Sequence, residues 1–182
     1  MKREIYRNLA NIYSSLLNID KNKKQQNTIL LFHSVSEENN SDIYDINIKK
    51  FQNIIEFLNN NYEFGKFNDL LKLNNKIIIT FDDGYLNNLK LAIPVLQKFE
   101  VPSHIFVTTD FIESRKKEYL NQNDLKELSK LQNVSIGSHG KSHTKLENLD
   151  DNKIETELIE SKKFIEDIIS KEVNSVSYPH GS

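Results

Sequence analysis

The segment Lys76-Ile77-Ile78-Ile79-Thr80-Phe81-Asp82-Asp83-Gly84-Tyr85 runs from an isoleucine-rich strand pattern straight into two acids. The apolar half, Lys76 to Phe81, is long enough for one strand and too short for a helix of its own. The polar half places adjacent carboxylates at the strand end, followed by a glycine that permits a sharp turn. Asp-Gly is also a common turn pair, so the motif alone could be an Asx turn opening the next helix. Two carboxylates this close do not both stay ionised without a cation or hydrogen bonds. A metal beside one of them is the economical explanation: one acid binds it and the other acts as a base.

Outward from this segment, strand patterns alternate with helical ones. Upstream, Thr28 to His33 is a short run of Ile, Leu and Phe. Ile48, Phe51, Ile54, Ile55 and Leu58 then recur at helical spacing, with Asn47 as a possible cap. Downstream, Leu86, Leu89, Ile93, Leu96 and Phe99 form a second stripe, in which Pro94 is expected to kink the helix or limit it to its earlier turns. Ser103 to Thr108 is a third strand. Asn123 can cap a short helix through Leu131, Asn133 to Ser138 is a fourth strand, and Asp151 can start a longer helix carrying Ile154, Leu158, Ile165, Ile168 and Ile169. Val173 to Tyr178 is expected as a fifth strand. Helix-length crossovers between strands imply parallel pairing, hence an α/β sheet or barrel with its chemistry at the C-terminal strand ends.

The fourth strand tests that rule. It runs into Ser138-His139-Gly140-Lys141-Ser142-His143, two histidines four apart. If this stretch is helical, both imidazoles lie on one face. Two nitrogens plus one carboxylate suit Zn, with open positions for water and substrate. Both polar motifs fall just past the end of a strand.

Composition narrows the alternatives. Among 182 residues, Lys+Arg 24 against Asp+Glu 26 gives a net charge of -2, so no global field gathers nucleic acid or anionic lipid. With no cysteine there is no thiolate metal site and no thiol nucleophile, and any metal falls to His, Asp or Glu. Ten Phe and seven Tyr supply core material that a disordered chain lacks. From Met1 to Thr28 there is no apolar run long enough for a signal-peptide core or membrane span, which makes the cytoplasm the expected location. Ile5, Leu9, Ile12, Tyr13, Leu16 and Leu17 mark an amphipathic helix, and Lys21 to Gln26 reads as a polar linker. Residues 1–27 are therefore expected to form an appendage to a domain at 28–182.

Taken together, these motifs resemble the polysaccharide deacetylase family, also called the NodB-homology or carbohydrate esterase 4 family. The resemblance runs from Thr28 to the end and includes Val101-Pro102-Ser103-His104-Ile105-Phe106-Val107-Thr108-Thr109. It implies a distorted (β/α) barrel that removes acetyl groups from N-acetylated sugars with a divalent metal. By position, Asp82 would be the general base, and Asp83, His139 and His143 the metal ligands. Where family members often carry Ser or Thr after the first histidine, Gly140 stands here, losing a possible hydrogen bond but no ligand.

Ser177-Tyr178-Pro179-His180-Gly181 resembles the family's third motif, in which the backbone N–H at the His180 position helps hold an oxyanion. Ser177 occupies the place of an arginine that orients the base in many members. His33 resembles the early strand-end acid of deacetylases acting on poly-N-acetylglucosamine, whereas His104, inside a strand, reads as structural. Family domains continue past the third motif with further strands, so the barrel is expected to be incomplete here. Three readings follow: an N-deacetylase acting on a glycan or its precursor, a non-catalytic remnant that binds metal or glycan, and a related amide hydrolase acting on a small molecule.

Overall fold

A computed structural model describes residues 27–38, 42–72 and 74–181. The expected amphipathic helix and linker before Asn27 lie outside the described residues. Asn27 itself is tied into the fold: its side chain donates to the Leu70 carbonyl and accepts from the Lys76 N–H.

The apolar run of the central segment becomes β5 (Lys76–Phe81), buried along all but its first residue. A strand covered on both faces needs neighbours on both edges. β1 (Thr28–Phe32) lines one edge, and β6 (Ser103–Val107) the other, with β7 (Val134–Ser138) beyond it. Every pairing is parallel, as the crossover spacing predicts. A two-residue β4 (Glu63–Phe64) pairs with the start of β5. The register matters most: Phe32 sits opposite Phe81, and Phe81 opposite Ile105. Val107 in turn faces Ser138. The residues that follow these strands therefore emerge along one edge of the sheet, and the Asp82 N–H donates to the Phe32 carbonyl at 3.0 Å.

Helix α1 (Ile48–Asn61) starts where Asn47 accepts a hydrogen bond from the Lys49 N–H, and buries Phe51, Ile54, Ile55 and Leu58. Phe51 meets Phe32 edge-on at 5.1 Å and Phe81 at 6.0 Å, which pins the helix over β1 and β5. Each fully buried side chain of this size contributes about 2 kcal/mol. Between β1 and α1, β2 (Ser34–Ser36) and β3 (Asp45–Asn47) pair in parallel, with Asp45 accepting from Ser34 and Ser36. Strands this short and polar leave no periodic signal.

Three expectations need correction. The helix carrying Pro94 is not cut short. It begins with a π-helical turn (Asn88–Ala92) and continues as α2 (Ile93–Lys98), so Pro94 stands in the first turn of α2, where a proline is tolerated. After α3 (Thr109–Glu113), the cap of α4 (Gln122–Leu128) is Asn121 rather than Asn123. Asn121 accepts from two backbone N–H groups while Asp124 reaches back to its N–H, a reciprocal cap that Asn123 cannot form. Finally, 173–178 is not a strand but one parallel bridge, Val176 to Ser138, reached after the long helix α5 (Asp151–Ile169). Among the described residues two main-chain hydrogen bonds join it to β7, from the Ser138 N–H to the Ser175 carbonyl and from the Ser177 N–H to the Ser138 carbonyl.

The sheet path is thus open among the described residues. Ile29 and Leu31 on β1 are 46% and 51% exposed. No described helix is long and apolar enough to cross a membrane.

Candidate active site

The chain leaves β5 through a three-residue turn in which the Gly84 N–H donates to the Asp82 carbonyl, with Asp83 at its centre at φ 71°. Left-handed backbone at a non-glycine residue costs about 1 kcal/mol or more and is met most often at functional sites. His143 and His180 share it, at φ 62° and 60°. Asn75, Glu100, Arg115 and Ser170 share it as well, away from the motifs, so positive φ alone does not mark the site.

Past β7 the two histidines come together with the acids, but not on a helix. Residues 139–145 form a loop, and Gly140 at φ 76° makes its first bend. The expectation of two imidazoles on one helix face is therefore wrong, although both rings do converge. His143 Nε2 lies 3.1 Å from Asp83 Oδ1, His139 Nε2 lies 3.4 Å from the same oxygen, and His139 Nε2 lies 3.8 Å from Asp82 Oδ2. One donor atom from each of Asp83, His139 and His143 falls within 4.8 Å of the others.

Hydrogen bonding fixes what these groups offer. The His139 Nδ1 sits 2.8 Å from the Ser177 carbonyl, which can only accept, so Nδ1 carries the proton and the Nε2 lone pair faces the carboxylates. Burial holds this imidazole down to about 4, so it is neutral at physiological pH. Burial pushes the Asp83 carboxyl up, but the adjacent His143 and His139 more than offset this and leave it below its ordinary range. Asp82 goes the other way. Burial lifts it to about 6 against the opposing pull of a Ser177 hydrogen bond and of His33.

Asp82 Oδ1 is buried without a hydrogen-bond donor, and Asp83 Oδ1, also buried, has only the two imidazole nitrogens beside it. Orphaned buried carboxylate oxygens are costly, and a cation relieves them. The chemistry of the donor set fits a divalent ion: one carboxylate, two imidazoles, and a second carboxylate just beyond.

His33 follows β1 directly, packs its ring against that of Tyr44 at 5.0 Å with a 53° tilt, and is close enough to lower both Asp82 and Asp83. The His180 ring lies 4.7 Å from that of His143 and is exposed to solvent. His104 stands apart, inside β6. Two contributors escaped the sequence reading. Ser177, noted there only as a missing arginine, joins the acids to the histidines: its hydroxyl donates to Asp82 Oδ2 at 3.1 Å while its carbonyl holds His139. Glu157, on α5, accepts from the main chain of the histidine loop. Its signal was an acid in the apolar stripe of that helix, between Ile154 and Ser161.

The chain is similar to known proteins over the stretch that holds these residues. Residues 72–182 match the family described as Polysaccharide deacetylase. The curated "Putative polysaccharide deacetylase YxkH" of Bacillus subtilis (strain 168) is 30% identical over 162 residues, 84% of this chain and 56% of its own length. This chain therefore spans a little over half the length of that relative. Among solved structures, BC0361, a polysaccharide deacetylase from Bacillus cereus, superposes with a TM-score of 0.75 at 26% identity, covering 87% of this chain and 52% of its own. The Streptococcus pyogenes deacetylase PplD, solved in complex with acetate, reaches a TM-score of 0.78 at 19% identity over 86% of this chain and 75% of its own, a likeness of fold. The parallel sheet is thus that of the deacetylase barrel, and with the sequence match spanning both the paired acids and the paired histidines, the chain belongs to the polysaccharide deacetylase family.

Proposed function

We propose that this chain is the metal-dependent hydrolytic part of an N-deacetylase that acts on N-acetylated sugars of a polysaccharide or its precursor. The observation that carries the reading is the convergence of Asp83, His139 and His143 beside a second, buried acid whose carboxyl is raised to about 6. A divalent ion held by those three, most readily Zn, would polarise the acetamide carbonyl and acidify a water.

The other groups divide the remaining work. Asp82 takes the proton of the attacking water, and the Ser177 hydroxyl keeps its second oxygen fixed while this happens. Ser177 also holds His139 as a neutral ligand through the carbonyl. The His180 N–H is offered to the developing oxyanion. His33, on the neighbouring strand end, gives a proton to the leaving amine, so that acetate and a free amino sugar depart. The family, the paired motifs and the shared strand-end edge support these roles.

A second reading is that the chain binds metal and glycan without turnover. It draws on the exposure of Tyr178, 54%, beside the site, and on 173–178 meeting the sheet at one strand bridge among the described residues.

Free amine released from N-acetylglucosamine oligomers, with Zn, Co, Ni or Mn supplied, decides between them. We expect release by the native chain, and a fall of about 10³-fold in Asp82→Asn with metal content unchanged. Metal binding with no release in either would establish the second reading. Equal metal loss in Asp82→Asn and Asp83→Asn would mean that the roles of the two acids are wrongly divided.

A further inference from the structure

We infer that Glu157 is a positioning residue for the metal site, setting ion affinity by holding the loop that presents His143. The inference rests on the metal reading above and goes beyond it, because Glu157 is neither a ligand nor a proton carrier there.

Glu157 is only 8% exposed, yet among the described residues it forms no ion pair. Instead Oε2 accepts from the Lys141 N–H at 2.8 Å and the Ser142 N–H at 2.9 Å, and Oε1 accepts from the Ser142 hydroxyl at 2.6 Å. Two of these three bonds take up the main chain midway between His139 and His143, and the third its Ser142 side chain. From the other side, the Thr109 and Asp110 N–H groups at the start of α3 donate to the Gly140 and Lys141 carbonyls, at 3.3 and 2.9 Å. The loop is clamped between two helices. Hydrogen bonds made at a buried carboxylate are strong enough to outweigh the strain of one left-handed residue, so the clamp can keep His143 at its positive φ.

Gly140 makes the approach possible. A Cβ there would stand 3.3 Å from Glu157 Oε2, and the residue already needs φ 76°. Gly140 is thus pressed against a carboxylate that orders the loop from outside.

Reach and charge can be separated. Glu157→Asp keeps the charge but withdraws the oxygens by one methylene, and Glu157→Gln keeps the reach and loses the charge. Titrating Zn into the metal-free chain, with melting temperatures taken in EDTA, we expect Glu157→Asp to weaken Zn binding about tenfold or more, the range for residues that orient ligands. Glu157→Gln should stay within about threefold of the native chain, because its amide oxygen still accepts both backbone N–H groups. Glu157→Asp binding like the native chain would overturn the inference. So would affinities that fall only in step with the EDTA melting temperature, which would make Glu157 a stability residue. A native chain that takes up no ion would instead overturn the metal reading itself.

Discussion

His104, within β6, and His139, directly after the neighbouring β7, are both buried and both kept neutral by burial, the first down to about 3 and the second to about 4. What separates them is the second ring nitrogen. In His104, Nδ1 lies 2.6 Å from the Ser135 hydroxyl and Nε2 2.9 Å from that of Ser175, while Phe67 stacks on the ring at 4.3 Å. Gly137 leaves the necessary room, since a Cβ there would fall 2.5 Å from Nε2. His139 has one nitrogen satisfied by Ser177 and the other turned toward two acids, one of whose oxygens has no donor. Burial alone therefore does not mark a functional histidine. A buried nitrogen left facing unpaired carboxylates does.

The sharpest way to break this contrast is to remove each ring in turn. Asp83→Ala or His139→Ala should weaken metal binding by about 100-fold or more, since each removes one of the three proposed protein ligands. His104→Ala should leave metal affinity nearly unchanged and cost about 3 kcal/mol of stability in urea unfolding, through the cavity and the two stranded hydroxyls. Loss of metal in His104→Ala at a temperature where it is folded would erase the distinction.

A smaller effect concerns acid. Both imidazoles have folded values below the ordinary 6.5, so between these limits the unfolded chain binds more protons than the folded one. Their contribution to stability is complete above about 6.5 and is lost as pH falls toward 3. The melting temperature of the metal-free chain should decline over that window, and His104→Gln should decline less steeply. An unchanged slope in His104→Gln would show that the ring accepts a proton without unfolding. The smallest effect belongs to Ser177→Ala. Its hydroxyl holds the Asp82 carboxyl down, so removing it should move the acidic limb of kcat/KM to higher pH, with kcat reduced only several-fold.

How much of this was legible beforehand follows the range of the interactions. β5 and the N-terminus of α1 read directly, because an isoleucine run and an asparagine cap are local signals. The clustering of Asp82, Asp83, His139 and His143 was also legible, since parallel strands deliver their C-terminal residues to one edge. The loop conformation between the histidines was not. It depends on Glu157, fourteen residues past His143, and on the α3 backbone, contacts that no spacing encodes. The role of Ser177 was hidden for the same reason: the residue is 95 positions from Asp82 in sequence. The failed strand at 173–178 had the right apolar content but meets β7 only at its last residue.

The central claim is that one ion sits where these three elements meet. A crystal grown with Zn, with anomalous scattering recorded at the zinc edge, tests it most directly. The account predicts a single strong peak with Asp83 oxygen and the Nε2 atoms of His139 and His143 about 2.0–2.2 Å away, and His104 still bonded to its two serines. A peak elsewhere, or Asp82 in the ligand set in place of Asp83, would contradict it.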